Sequence, residues 1–424
     1  MSNDDIKALS FTREQVKYKR LVSKLVENHI LAVSEEIDRE GRFPAENIKL
    51  LGEHGILGLG ISASKGGIGG DFVAMTLVLE ELAKGCSSTA MSYLMHSTTI
   101  PYLSAIVSEE QHASFLQPII EGKYLGALSM SEPKTGSRLW HMTSHAHKEG
   151  NEYVINSFKS FVTNSKHADF YIVPVRSSEN SLPNELSVFW IDGKDKNIKP
   201  IGDWDGMGLR GNSSTPVHFE DCRVPEFNRI GEKDSGFSLL MAYVLPIYFV
   251  GMAAVYLGIA EKAYKEAVKR AKARKYTGPD DSGKNLESIQ RYIGEMKSKL
   301  CTLRASVYRC ARMVNQVTKV FDMLCEAGLL VELLDNAQKD TFFIELAQLK
   351  IASTETAQFV TDKALQVGGG QCYKRGNIIE QCFRDARAGS LMGPSNDILK
   401  VIIGKRELGL PYPWETFEEE KISH

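Results

Sequence analysis

Apolar residues recur at helical spacing through the first quarter of the chain. Val22, Val26, Ile30, Val33 and Ile37 fall on one stripe, with Lys, Glu and Asp between them, as an amphipathic helix requires. Residues 11–123 read as helical throughout. Helices are predicted at Phe72–Lys84, stopped by Gly85, at Thr89–Ile106 and at Gln111–Ile120, with a four-glycine loop at Ser62–Asp71. Near Tyr124 the pattern changes. Alternating or β-branched runs at Tyr124–Ser131, Tyr153–Ser157, Asp169–Val175, Leu186–Ile191 and Pro216–Phe219 lie between Gly, Asn, Ser and Pro turns. They predict a compact β domain, a barrel or a sandwich. After Gly236 helical stretches return at 237–276, 286–328 and 330–368. Gly368-Gly-Gly interrupts them, and a last helix starts near Ser395. Helices, then strands, then helices predict an α+β fold, not a doubly wound one. The expected units are an N-terminal helical domain (1–123), a middle β domain (124–235) and a C-terminal helical bundle (236–424).

One run tests this picture. Phe237–Ala260 carries no formal charge and is long enough to span a bilayer. Pro246 interrupts it, Ser and Tyr are scattered through it, and it runs into the amphipathic Glu261–Arg270. A helix buried in a bundle is the better reading, and no membrane partner is expected. Of the 424 residues, 51 are Lys or Arg and 53 Asp or Glu, for a net charge of -2; a general nucleic-acid binder would be basic. The seven cysteines, an odd number with no C-x-x-C, argue against a disulfide framework and for a reducing cytoplasm. The acidic start Met1-Ser-Asn-Asp-Asp is unlike a secretory signal.

Several motifs carry candidate chemistry. Gly66-Gly-Ile-Gly-Gly70 lacks the Gly-Lys-Ser/Thr of a phosphate loop and the preceding strand of a dinucleotide fingerprint, so a surface turn is expected. His141, His145 and His147 lack companions at ligand spacing, so no metal site is expected. Ser129-Met-Ser-Glu-Pro-Lys-Thr-Gly-Ser137 is a strand exit rich in hydroxyls and main-chain donors, suited to a phosphate or the edge of a heteroaromatic ring. Lys159-Ser-Phe-Val-Thr-Asn-Ser165 is a second strand exit. Phe161 could stack on a flat ring while Thr163 bonds to its edge. Asp205-Gly-Met-Gly-Leu-Arg-Gly-Asn-Ser213, Val217-His-Phe-Glu-Asp-Cys-Arg-Val-Pro225, Gln366-Val-Gly-Gly-Gly370 and Phe383-Arg-Asp-Ala-Arg387 follow.

In this order, over about residues 12–410, these motifs resemble the acyl-CoA dehydrogenase superfamily of flavoproteins. The resemblance implies FAD between the β domain and the bundle, and a homotetramer or dimer. It implies that Met130 and Ser131 touch the flavin, Ser137 a phosphate, Phe161 a face of the ring and Thr163 the edge near N5. Arg274 would reach the FAD of a neighbouring subunit, and Gln366, Gly369 and Gly370 would lie near the adenosine end. An acyl thioester substrate, on CoA or a carrier protein, is implied, with an electron-transfer flavoprotein or a flavin reductase as redox partner.

The sequence departs from the family at Thr277, usually Phe, at Pro279–Leu286, which is about two residues longer, and at Arg138, usually Asp. The largest departure is at the catalytic base. Gly393 stands where the family's usual Glu removes the α-proton, and Tyr248, followed by Phe249, stands where other members carry that Glu. A weakly acidic α-proton needs a base within reach and donors for the enolate, and glycine has no side chain to offer. Three readings follow. A thioester oxidation could use a relocated base, with Asp397 or His96 as candidates; His96 could equally be a satisfied helix histidine. A monooxygenase or N-hydroxylase of this fold would use O₂ on reduced flavin and need no such base, with His96 again available. A non-catalytic relative would need neither, but the intact flavin motifs oppose it.

Overall fold

The computed structural model describes residues 9–274, 283–326 and 336–415. Thr277, residues 279–282 of the lengthened segment and residues 330–335 of the third bundle stretch lie outside them. The helix–strand–helix order holds and the fold is α+β.

Helix α1 (Arg13–Leu25) opens on a capping box. The Thr12 hydroxyl accepts from the Gln15 N–H, and the Gln15 side chain accepts from the Thr12 N–H. A π turn leads to α2 (Leu31–Glu40), then α3 (Ala45–Glu53) and α4 (Phe72–Gly85). The helix expected over Thr89–Ile106 is two helices, α5 (Ser87–Ser97) and α6 (Ile100–Ile106). The Thr98 and Thr99 hydroxyls donate back to the Met95 and His96 carbonyls at 2.7 Å, and Pro101 has no N–H for a continuing ladder. The stretch expected at Gln111–Ile120 is likewise broken, by a π turn at His112–Leu116, into the single turns α7 (Glu109–Gln111) and α8 (Gln117–Ile120).

The middle residues form the sandwich rather than the barrel. Strands β1 (Gly126–Leu128), β4 (Phe170–Arg176), β5 (Leu186–Asp192) and β8 (Arg229–Ile230) make one sheet in the order β1-β4-β5-β8. Strands β2 (Ala146–Glu149), β3 (Glu152–Val162), β7 (Thr215–Pro225) and β6 (Ile198–Pro200) make the other, in the order β2-β3-β7-β6. Tyr171, Val173 and Phe189 of the first share a core with Ile155, Val217 and Phe219 of the second. Strands β3 and β7 run well beyond the segments predicted for them. Inward polar residues such as Lys159, fully buried, hide their alternation.

In the bundle, a short α9 (Gly236–Leu239) and a π turn precede α10 (Leu245–Ala273), α11 (Glu287–Glu326), α12 (Asn336–Gly368), α13 (Ile378–Ala388) and α14 (Asn396–Glu407). Pro246 sits in the first turn of α10, where a missing N–H breaks no bond. The uncharged run is wrapped by other helices, and 83% of its most apolar window is buried. Gly258 lets α10 lie close on α4: a Cβ there would stand 2.6 Å from both the Ala83 Cβ and the Glu80 carbonyl oxygen. One core therefore joins Val22 and Leu77 to Phe249, Leu300 and Ala347. Across it the Arg304 guanidinium bonds Glu80 at 2.9 Å and Glu261 at 3.2 Å, locking α4, α10 and α11 together.

Candidate active site

Where sandwich meets bundle lies a cavity of about 960 Å³. Strand β1 pairs parallel with β4, and the Ser129 N–H extends that ladder to the Ile172 carbonyl at 2.9 Å. The chain then leaves the sheet, and the Ser131 carbonyl accepts from the Ser160 N–H of β3 at 2.7 Å. That bond brings the two strand exits side by side. Met130, Ser131, Ser137, Phe161 and Thr163 all line the cavity.

A buried ion pair fixes the first exit. The Lys159 ammonium donates to Glu132 at 2.9 Å and to the Pro174 carbonyl at 2.8 Å. Glu132 also accepts from the Thr143 N–H at 2.7 Å and from the Thr143 and Ser144 hydroxyls. Burial opposes the Glu132 charge, but Lys159 and these donors outweigh it and hold the carboxyl down to about 2, from an ordinary 4.5. Glu132→Gln is expected to cost about 3–5 kcal/mol, because it strands a buried ammonium. A lower urea midpoint at unchanged slope would show it. The sign of the acid limb follows from linkage. With its folded pKa depressed, Glu132 contributes stability that is complete above pH 4.5 and lost as pH falls towards 2. The variant is expected to lack that component of acid sensitivity.

The second exit is set by Asn164, whose φ of 71° suits Asn better than most residues. Its side chain donates to the Ser92 and Gly126 carbonyls at 3.0 and 3.1 Å. Thr163 shares a hydrogen bond with Ser214 at 2.8 Å. Phe161 is 66% exposed, with Trp204 nearly perpendicular to it at 6.5 Å between ring centroids. A large aromatic so placed invites a flat partner. The Asn212 side-chain oxygen is buried without a hydrogen-bond partner on the same wall. An exposed ring, an orphaned polar atom and a rim of hydroxyls fit an isoalloxazine and its phosphate, so the residues suit a flavin.

The far wall comes from the bundle. In α13, Arg384 forms a bidentate pair with Asp38 at 3.0 and 2.6 Å, and Asp385 accepts from Ser87 and from the Leu209 N–H. These bonds dock the end of α13 against both other regions. The following loop carries Gly393 to the cavity, where a Cβ would meet Ser137 Oγ at 3.7 Å and Ser131 Oγ at 3.9 Å. Behind the loop, the fully buried Lys350 ammonium donates to the Met392 and Pro394 carbonyls and to Asn396 at 3.1, 3.0 and 2.9 Å. Burial pushes that ammonium down to about 7.

The structure does not bring His96 to the cavity. It is wholly buried. Its Nδ1 accepts the Gly126 N–H at 2.8 Å, so the proton sits on Nε2, which donates to the Leu57 carbonyl at 2.9 Å. Burial pushes the imidazole down to about 4. With both nitrogens committed, His96 ties α5 to β1 as a satisfied histidine. Asp397 is exposed and off the wall. Glu132 is the single carboxylate on the wall among the described residues, and it is held by Lys159. Tyr248, 6% exposed, does line the cavity, and burial holds its phenol above its ordinary range.

Gln366, Gly369 and Gly370 lie elsewhere, in a second recess of about 780 Å³ that shares Arg384 with the first. Arg274 stands beside them, its guanidinium 3.2 Å from where a Gly369 Cβ would be.

Comparison with known proteins identifies the family. The acyl-CoA dehydrogenase N-terminal, middle and C-terminal domain descriptions match residues 12–123, 127–222 and 234–408. The chain is 30% identical to a short-chain-specific acyl-CoA dehydrogenase of Clostridium acetobutylicum, covering 93% of this chain and 98% of that one. It is 31% identical to an acryloyl-CoA reductase (NADH) of Anaerotignum propionicum, covering 93% and 95%. It superposes on butyryl-CoA dehydrogenase from Megasphaera elsdenii with a TM-score of 0.82 at 26% identity, covering 94% and 99%. A flavin-fitting cavity at this junction, reached through these motifs in this order, makes the chain a member of the acyl-CoA dehydrogenase family of flavoprotein oxidoreductases.

Proposed function

We propose that the protein is a FAD-dependent oxidoreductase acting at the Cα–Cβ bond of an acyl thioester, with Tyr248 handling the α-proton. The observation that carries this reading is the convergence on one cavity of the flavin-fitting residues, the Gly393 loop and an apolar chamber that holds Tyr248. The thioester chemistry named for the two relatives at 30 and 31% identity supports it.

FAD, when bound, supplies hydride exchange with Cβ. The protein's part is to orient and to move a proton. Ser131, Ser137 and Thr163 would hold the ring edge and phosphate, and Phe161 would cover a face. A phenol kept neutral by burial is a donor and not a base at neutral pH. Tyr248 can therefore give its proton to Cα and regain one from solvent, which suits reduction of an α,β-unsaturated thioester. Arg274, Gln366, Gly369 and Gly370 are read as the adenosine-side contacts of a dinucleotide shared within a homo-oligomer. An electron-transfer flavoprotein is the redox partner expected on this reading.

One observation favours a second reading. The one carboxylate on the wall among the described residues is already held by Lys159, so none of them offers a free carboxylate base for thioester oxidation. A monooxygenase of this fold needs none, and would take its electrons from a flavin reductase.

An anaerobic titration tests the two. Dithionite-reduced, FAD-loaded protein is expected to recover its visible flavin band on adding a short enoyl-CoA. No response to any enoyl- or acyl-CoA, with rapid re-oxidation in air and oxygen appearing in an organic substrate, would replace the thioester reading with the second.

A further inference from the structure

After residue 408, where the family's C-terminal match ends, a short strap returns to the site. Gly409, at φ 67°, turns it. The Leu410 N–H then donates to the Lys405 carbonyl at 2.9 Å, and the Lys405 ammonium donates to the Pro411 carbonyl at 3.2 Å. Tyr412 is buried in the main core, and its N–H donates to Glu415 at 2.8 Å. Between these anchors Trp414 lines the cavity. It stacks on Tyr412, with centroids 4.7 Å apart and planes 16° apart. It meets Trp140 edge-on at 5.2 Å, Phe343 at 5.8 Å and Phe237 at 6.4 Å. Those three rings come from the loop after β1, from α12 and from α9, so one indole closes a box whose other sides belong to three separate parts of the fold.

We propose that Trp414 is a specificity-determining residue: the strap Pro411–Trp414 forms the end wall of the acyl chamber and restricts the substrate to short or compact apolar acyl groups. The proposal rests on the thioester reading above. The chemistry of the box is apolar and aromatic, which suits a hydrocarbon end group. The indole is packed against Tyr412, Trp140 and Phe343, so a longer chain must displace it. A methylene that finds room is worth about three- to fourfold in affinity. One that strikes a close-packed ring gains nothing and strains it.

The test is a ladder of straight-chain acyl-CoA thioesters, short to long, bound to FAD-loaded protein without oxygen and read as perturbation of the visible flavin spectrum. Parent protein is expected to lose affinity abruptly beyond a short chain. Trp414→Ala is expected to carry the three- to fourfold gain per methylene on through several more carbons, with FAD content unchanged. Trp414→Leu, which keeps an apolar side chain in the core, is expected to shift the limit less and serves if the alanine variant folds poorly. A parallel ladder of n-alkylbenzenes separates this proposal from the reading beneath it. A shifted limit with alkylbenzenes but no response to any thioester keeps the wall and removes the thioester. The same limit in parent and variants in both ladders overturns the wall.

Discussion

Gly393→Glu is expected to create a thioester dehydrogenation that the parent protein performs poorly. The nearest atoms to a Cβ at residue 393 would be the Ser137 Oγ and Cα and the Ser131 Oγ, at 3.7 to 3.9 Å, which is ordinary contact. Residue 393 does not have a positive φ, so the backbone accepts a side chain. The loop is already fixed from behind by Lys350. The added carboxylate would sit between the flavin-fitting serines and the apolar chamber. Desolvation there raises its pKa towards neutrality, where a general base works best. Positioned proton transfer contributes about 10²–10⁴-fold, and bleaching of oxidised flavin by a short saturated acyl-CoA should accelerate by that order in anaerobic stopped flow. The rate should rise with pH through the new carboxyl's pKa. An unchanged rate with intact flavin binding would mean that substrate Cα lies away from residue 393.

Much of this site was legible because its residues sit in local motifs. The hydroxyl-rich exit at Ser129–Ser137 and the Phe161-Val-Thr163 exit each announce themselves within a few residues. One bond, from the Ser160 N–H to the Ser131 carbonyl, is enough to make them neighbours. The long bundle helices are legible as apolar stretches, but α13 (Ile378–Ala388) is not; the Thr98–Thr99 turn breaks one expected helix by short-range chemistry, and inward polar residues such as Lys159 hide the full length of β3 and β7. What escaped sequence reasoning depends on partners far away in the chain. Glu132 and Lys159 look like surface charges until the sheet buries them against each other. Lys350 carries a weak signal, a lone cation among Leu346, Leu349 and Ile351, but nothing local says that three oxygens of a loop more than forty residues on surround it. Pro411-Tyr-Pro-Trp414 carries no periodic pattern that predicts its return to the site. His96 was misleading for the opposite reason. A histidine on a helix near a pocket has the right pKa for acid–base work, and only the fold reveals that a main-chain N–H and a carbonyl have already taken both of its nitrogens.

Tyr248→Phe is expected to remove most of the reduction of an enoyl thioester while leaving the flavin in place. The substitution deletes one hydroxyl and keeps the ring against Phe249, whose centroid is 5.9 Å away, so packing changes little. Loss of the proton donor should lower turnover by about 10²–10⁴-fold, mainly in kcat, since a proton delivered to Cα is needed only in the transition state. Tyr256 provides the internal control. It lies two helical turns further along α10, and its hydroxyl is directed at the Met392 sulfur at 3.7 Å, so Tyr256→Phe should disturb the Gly393 loop without removing the donor. Comparable losses in both variants would assign Tyr248 a role in packing. A large loss in Tyr248→Phe alone, with unchanged KM and FAD content, would mark it as the proton-carrying group. It would also explain how the protein works with glycine at position 393: the proton would come from Tyr248 on the same cavity, a phenol that burial keeps protonated and neutral.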